Sequence, residues 1–158
     1  MGETWFLKVD GVTGESAAVH HAGEIEVQSW SWGMSTSAST HVGSGAGSGK
    51  VTLEDMTVTG RITAASPKLV ELCATGRHVR TVTLTGERGG GGPAADAYRY
   101  VLTDVVVVAV HHGDDDIASP TDRVVLRAAT IEVTYRPQSP TGAAGAPVTV
   151  VVGAARHR

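Results

Sequence analysis

Short segments in which apolar and polar residues alternate recur along the chain, and Gly, Ser, Pro and Asp residues separate them. A period of two places successive side chains on opposite faces of a strand, so this pattern predicts β-strands. The predicted strands are Thr4–Val9, Glu24–Trp32, Thr36–His41, Lys50–Val58, Val79–Thr85, Ala97–Val110, Arg123–Tyr135 and Val148–Val152. Short, evenly spaced strands with a single helix indicate a mainly β fold, a two-sheet β-barrel or β-sandwich, rather than an α/β fold.

One segment carries helix signals instead. We predict a helix over Pro67–Thr75, because Ser66 can cap its start, Pro67 suits the first helical position and Gly76 suits the position after its end. Its apolar residues recur at the spacing of one helical face and predict a buried stripe. The stripe consists of Leu69, Leu72 and Cys73.

The predicted second strand contains a change of phase. Ile25 and Val27 point to one side of the strand, whereas Trp30 and Trp32 fall on the opposite parity. A straight strand cannot bury both pairs on one face. Either the strand is covered on both faces, or a bulge near Gln28-Ser29 switches its phase.

Small hydroxyl residues alternate with the two tryptophans. Ser29 and Ser31 lie opposite Trp30 and Trp32 under either interpretation of this strand. We therefore predict that the tryptophans belong to the structural core and that the serines form a smooth polar face.

Two long strands show further irregularities. Every residue of Val105–Val110 is apolar, so we expect this part of Ala97–Val110 to be covered on both faces. The core would cover one face, and the helix or a neighbouring subunit would cover the other. Within Arg123–Tyr135 the apolar parity changes midway, which suggests a bulge and strong curvature.

Composition narrows the class of protein. A chain of 158 residues predicts a single domain over residues 1–158. The net charge of −3 argues against a nucleic-acid surface, which needs a strongly basic face. The single cysteine excludes an internal disulfide framework. We expect neither membrane insertion nor a secretory signal peptide, because long apolar runs and a basic N-terminal region are lacking.

Several motifs resemble chemical sites without meeting their requirements. Gly43–Lys50 resembles a phosphate-binding loop, but Val51 replaces the required Ser or Thr and a strand is predicted next. His111–Asp116 favours a solvated acidic turn, because adjacent histidines on a strand point apart. For His21 a structural hydrogen bond is the most economical role, and Cys73 on the apolar helix stripe is typical of an inert thiol. We therefore predict no enzyme activity, no metal and no cofactor.

Glycine-rich and proline-bounded segments predict long connections. A long extended loop is predicted between two strands, with little capacity to join a core. It consists of Val42, Gly43, Ser44, Gly45, Ala46, Gly47, Ser48 and Gly49. A second such loop covers Gly89–Pro93, and residues 140–147 predict a flexible connection before a C-terminal strand.

An ordered set of short motifs runs through most of the chain. It comprises Trp5–Val12, Gly14–Ser16, His21, Glu24, Ile25, Trp30–Ser35, Gly49–Val51, Asp55-Met56, Ser66-Pro67, Leu69, Cys73, Gly76, Tyr100, Leu102, Val105–Val110, Val124, Leu126, Ile131, Val133, Tyr135 and Pro137-Gln138. In this order the set resembles the hemolysin-coregulated protein family (Hcp), the tube protein of type VI secretion. The end departs from that family, since many members finish with a Gly-Trp-Asp-like strand and this chain has Pro147–Gly153.

This resemblance implies a structural role. Members of the family form hexameric rings that stack into a tube, are driven out by a contractile sheath, and carry or chaperone effectors in the lumen. It implies self-association, contacts with effectors, spike and sheath proteins, and a cytoplasmic protein that is later secreted without a signal peptide. Tube proteins of phage tails share this fold family, so a related contractile machine other than type VI secretion is a second possibility.

The resemblance also assigns positions. It places Ser29, Ser31 and Ser35 on the lumen, facing effectors. The contact of Val42–Gly49 with another subunit or the next ring is predicted from composition, because a long loop of Gly and Ser has reach but no core. The alternative from a different class is a monomeric, carbohydrate-type ligand-binding β-sandwich. That function needs an aromatic platform, for which a chain with 4% aromatic residues has little material.

Overall fold

The computed structural model describes residues 2–37, 50–89, 96–114, 119–138 and 145–153. Its strands and single described helix follow in chain order. They are β1 (Thr4–Val9), β2 (Ile25–Ser31), β3 (Met34–Thr36), β4 (Val51–Leu53), β5 (Met56–Arg61), α1 (Ser66–Thr75), β6 (Val79–Glu87), β7 (Asp96–Gly113), β8 (Thr121–Tyr135) and β9 (Val148–Gly153).

The strands close into a barrel. The main sheet runs in the order β5-β2-β1-β6-β7-β8-β9, and an additional pairing of β5 with β8 closes a six-strand barrel. Every pairing is antiparallel. Strand β9 lies outside the barrel on β8, and β3 and β4 form a separate hairpin. The predicted mainly β class with one helix is confirmed.

Strand β8 pairs with β7 along one edge, and two strands share its other edge. The first half of β8 pairs with β5 from Met56↔Leu126 to Arg61↔Thr121, and its second half pairs with β9 from Thr130↔Gly153 to Tyr135↔Val148. The barrel is therefore closed at one end of β8, while β9 extends the sheet at the other end.

The hydrophobic core fills the barrel interior. Alternate residues of each strand point inward, as the period of two requires. The buried cluster contains Leu7, Val9, Ile25, Val27, Met56, Val58, Val82, Leu84, Leu102, Val105, Val107, Val124, Leu126 and Ile131, together with Val79, Ala65, Leu69 and Leu72.

The predicted bulge in the second strand is present. The pairing of β2 with β5 shifts register between Val27 and Ser29, so Gln28 is the extra residue. A bulge reverses the parity of the residues that follow it. Trp30 consequently packs against the same core as Ile25 and Val27.

The phase change of the last long strand has a different origin from the predicted bulge. In the described pairing of β7 with β8, no extra residue is inserted in β8. The one register shift of this pairing lies in β7, where Val108 is the extra residue between Val107 and Ala109. Asp104, which the cross-strand register skips together with Ala129, has a left-handed backbone with φ of 58°. A non-glycine residue in that conformation turns the strand locally. The buried positions of both strands change parity at this point, between Leu102 and Val105 in β7 and between Leu126 and Ile131 in β8.

Some predicted boundaries are wrong. The predicted strand Lys50–Val58 consists of two strands, β4 and β5, which belong to different sheets. Of the predicted strand Thr36–His41, Thr36 ends β3 and Ser37 lies outside the strand, whereas residues 38–41 lie outside the described residues. Strand β7 extends to Gly113, beyond its predicted end at Val110.

The helix has its predicted end but a different start. Gly76 adopts the left-handed conformation with φ of 66°, and its N–H donates to the Leu72 carbonyl. The predicted cap is wrong, because the cap position is Ala65 and no side chain caps it. The Ser66 hydroxyl instead accepts a hydrogen bond from the Thr63 N–H at 3.0 Å. Leu69 and Leu72 are buried, and the helix contacts β7.

Candidate functional surface

The bulge in β2 aims two serine side chains out of the barrel. Ser29 lies opposite Thr59 of β5, and Ser31 lies opposite Thr57. Both serines are exposed and both threonines are half-buried. These four side chains, Ser29, Ser31, Thr57 and Thr59, form a continuous surface of small hydroxyl groups that we name the hydroxyl face.

The register extends this surface onto the next strand. Thr59 lies opposite Arg123 of β8, and Thr57 lies opposite Val125. Arg123 is exposed, and it makes no ion pair within the part of the chain that the structure describes. On the far side Arg123 lies opposite His111 of β7.

A second arginine beside this surface has its charge paired. Arg127 Nε lies 3.0 Å from Asp55 Oδ1, and its terminal nitrogen lies 3.1 Å from Asp55 Oδ2. The hydrogen bond to Asp55, followed by the carboxylate charge, raises the pKa of Arg127. This bidentate pair is exposed, so it orients Arg127 more than it stabilises the fold.

The third predicted serine lies elsewhere. Ser35 belongs to β3 and faces Thr52 of β4 in the separate hairpin. The structure thus brings Ser29 and Ser31 together on the barrel wall but does not add Ser35 to that wall. Every residue of β3 is exposed, including Met34 at 40%. The predicted arm Val42–Gly49, between β3 and β4, lies outside the described residues.

Aromatic side chains gather at one end of the barrel. Trp30 packs between Trp5 and Tyr100, with both ring centroids 4.9 Å away. Trp32 reaches Tyr100 at 6.3 Å, and Tyr98 joins Trp5 at 5.4 Å. The series ends with a sixth ring, because Tyr135 lies 5.3 Å from Tyr98.

These rings close the barrel end rather than standing out from it. Trp30 and Trp32 are half-buried and pack against the core. Burial, followed by the neighbouring Tyr98, raises the pKa of Tyr100. A carbohydrate-binding surface needs exposed ring faces, and of this cluster Tyr135 is the one ring classed as exposed, at 43%.

A buried histidine joins the loop before β2 to the first residue of β7. His21 stacks on Phe6 at 4.4 Å, its Nδ1 lies 2.9 Å from Glu24 Oε1, and its Nε2 lies 3.0 Å from Asp96 Oδ1. Burial lowers the pKa of His21, but the hydrogen bonds and charges of Asp96 and Glu24 outweigh it, so the pKa is raised. The structural hydrogen bond predicted for His21 is present, and it is doubled.

The same histidine belongs to a group with metal-ligating atoms. Ligand atoms of His21, Glu87 and Asp96 lie within 4.8 Å of one another. However, an imidazolium whose two N–H groups meet carboxylates has no lone pair to give to a metal. The raised pKa favours that protonated form. The hydrogen bonds of His21 therefore link the loop before β2 to the start of β7.

The two adjacent histidines of β7 point apart, as the sequence predicted. His111 lies opposite Arg123 on the outer surface, whereas the Nε2 of His112 lies 3.2 Å from Oδ1 of the buried Asp122. Asp115 and Asp116 of the predicted acidic turn lie outside the described residues.

Strand β9 presents an unusual apolar edge. It pairs with β8 on one side and is the last strand of the sheet. Val148, Val150 and Val151 are 66%, 56% and 61% exposed. Exposed apolar side chains on an edge strand are typical of a surface that another chain covers.

Two further observations concern the helix α1. The described helix is too short and too polar to cross a membrane. Cys73 is partly buried beside the core, as its place on the helix stripe predicted.

Comparison with known proteins points in one direction. Residues 6–135 match the family model described as type VI secretion system effector, Hcp. The chain is 41% identical over 153 residues to Protein hcp1 of Pseudomonas aeruginosa, covering 94% of this chain and 93% of that protein.

Solved structures agree with the sequence comparison. A structure of a type six secretion system protein aligns with a TM-score of 0.84 and 25% identity, over 92% of this chain and 91% of the other. Hcp1 from Salmonella typhimurium aligns with a TM-score of 0.74 and 28% identity, over 97% of this chain and 95% of the other.

Proposed function

We propose a tube-subunit function for this chain, which belongs to the Hcp family of the type VI secretion system. The chain assembles into a hexameric ring, and rings stack into the inner tube of a contractile secretion apparatus. The tube is exported from the cytoplasm with effectors carried or chaperoned in its lumen. Its partners are further copies of itself, effectors, and the spike and sheath proteins, and the family is one of secretion components rather than enzymes.

The exposed edge of β9 carries the proposal of self-association. Three valines of this strand are more than half exposed, and the strand ends the sheet. In a ring built from one repeated contact, the edge of each subunit is covered by a different surface of the next. Pairing there would satisfy backbone groups of β9 and remove apolar surface from water at the same time.

The hydroxyl face supports the assignment of a lumen wall. Ser29 and Ser31 are exposed, uncharged and small, so they offer a passing protein few strong contacts. Such a surface holds cargo weakly at each subunit while symmetry multiplies the contacts. Ser35 lies in the separate β3-β4 hairpin rather than on this wall. For the arm Val42–Gly49 we propose a contact with another subunit or the next ring.

Native mass spectrometry and light scattering test the proposal directly. The wild-type protein should show a closed hexamer at micromolar concentration. Val150→Lys places a charge on the apolar edge of β9 and should shift the mass to smaller species while the circular dichroism spectrum stays native.

Val19 provides a matched control. It is 87% exposed but lies in the loop before β2, away from β9. Val19→Lys makes the same chemical change and should leave the ring intact. A wild-type protein that stays monomeric at high micromolar concentration would refute the ring and favour the ligand-binding alternative.

A further inference from the structure

We propose that Arg123 makes the hydroxyl face selective for acidic segments of protein cargo. This inference rests on the proposed tube function and adds the chemical class of the partner. Its basis is the charge of the positions that the strand register places side by side on this face.

The register defines two rows across four strands. One row runs Ser29, Thr59, Arg123, His111, and the other runs Ser31, Thr57, Val125, Ala109. Neither row contains a carboxylate. The face is therefore neutral or basic at every paired position, although the whole chain has a net charge of −3.

Neighbouring arginines differ from Arg123 in how their charge is balanced. Arg127 is held by Asp55 in a bidentate pair. Arg61 lines a groove together with Glu15 and Glu26, so two carboxylates lie near it. Arg123 makes no ion pair among the described residues, and its exposed guanidinium can donate hydrogen bonds to a carboxylate of another molecule.

The surroundings favour a peptide carboxylate over a nucleic acid. Single-stranded nucleic acid is held by stacking of bases on aromatic rings together with a basic groove. No aromatic residue occurs at the paired positions of the two rows. The hydroxyl groups beside Arg123 instead donate hydrogen bonds that suit carboxylate and peptide oxygens.

Binding of a labelled ten-residue polyglutamate peptide, followed by fluorescence anisotropy at low salt, tests the inference. Arg123→Gln removes the charge and keeps most of the length. It should weaken binding by about fivefold for an exposed charge acting in one subunit, and by more in a ring where contacts are repeated. Arg123→Lys should retain most of the binding, and added salt should weaken the wild-type complex.

Arg99 is the matched control, because it is also an exposed arginine of the same sheet. It lies opposite Thr85 of β6 and Thr134 of β8, at paired positions outside the two rows. Arg99→Gln should change polyglutamate binding by less than about twofold. Equal losses for Arg99→Gln and Arg123→Gln would show general surface charge and overturn the inference.

The remaining outcomes separate this inference from the proposed function. If rings form normally and Arg123→Gln binds polyglutamate as tightly as the wild type, the cargo selectivity is refuted and the tube function is not. A protein that forms no ring overturns the tube function, and with it the cargo assignment. Tighter binding of a single-stranded oligonucleotide of equal charge than of polyglutamate overturns the assignment to protein cargo.

Discussion

Gly86 leaves space for the Trp5 ring at the aromatic end of the barrel. It lies directly opposite Trp5, and a Cβ added there would lie 2.7 Å from two atoms of the Trp5 ring and 2.9 Å from a third. Real side chains do not tolerate that separation, so Gly86→Ala must displace the ring. The ring cannot tilt freely, because Trp30 at 4.9 Å and Tyr98 at 5.4 Å pack against it.

Two opposing contributions determine how much Gly86→Ala changes the free energy of unfolding. Overpacking of a fitted site costs about 1–3 kcal/mol. Replacing a strand glycine by alanine restricts the unfolded chain and returns about 0.5–1 kcal/mol. Trp5 is half-buried and can relax in part, so we expect a net destabilisation of about 1–2 kcal/mol for Gly86→Ala.

Equilibrium unfolding in guanidinium chloride measures this change at one fixed protein concentration, because assembly would otherwise shift the midpoint. Far-ultraviolet circular dichroism is the reporter, since the substitution touches a fluorescent ring. Trp5→Leu removes the clashing ring atoms, so Gly86→Ala should cost much less in that background, and the double-mutant cycle gives the coupling. Gly2→Ala is the control, because its Cβ would meet nothing within 4 Å. An unchanged or raised midpoint for Gly86→Ala in the wild-type background would refute the packing argument.

Three further predictions follow from other parts of the structure. Because the pKa of His21 is raised in the folded state, its hydrogen bonds to carboxylates stabilise the fold fully below the unfolded pKa of about 6.5, and this stability is lost as pH rises through the folded pKa. The midpoint of urea unfolding should therefore fall over that pH window. Asp96→Asn should reduce this fall. Trp30→Ala should destabilise the fold by roughly 3 kcal/mol, the low end for a large core ring because Trp30 is half-buried, and a fluorescence maximum like that of tryptophan in water would contradict this. Ser31→Gln should leave rings intact and reduce the amount of effector that co-purifies, whereas Ser35→Gln on the hairpin should leave both unchanged. If Ser31→Gln abolishes rings while the monomer stays folded, Ser31 lies at a subunit interface instead.

The sequence predicted the features whose signals are local. The parity change between Val27 and Trp30 required either a bulge or two covered faces, and the register shift at Gln28 decides for the bulge. The same kind of signal was available at Glu54-Asp55, since Leu53 and Met56 differ in parity. Reading it would have divided the segment into β4 and β5.

Features that depend on distant residues could not be predicted. The parity change within β8 was visible, but the left-handed Asp104 that lies beside it on the paired strand β7 was not. Glu24 is three residues from His21 and within reach of a local argument, whereas Asp96 is 75 residues away. The Ser66 cap failed because its hydroxyl found Thr63, a competing local partner of a kind that serine often takes.

The length of β8 connects the barrel to the surface proposed for assembly. Its 15 residues would extend for roughly 50 Å, longer than β5 with 6 residues can cover. Without another partner the second half of β8 would be a long open edge, and β9 covers it. As a result β9, rather than β8, forms the open edge of the sheet. The side chains at this edge are exposed valines instead of the polar Glu132 and Thr134 of β8. An edge that is both unpaired and apolar is poorly suited to a free monomer, which is the physical reason to expect that a further copy of the chain completes the sheet.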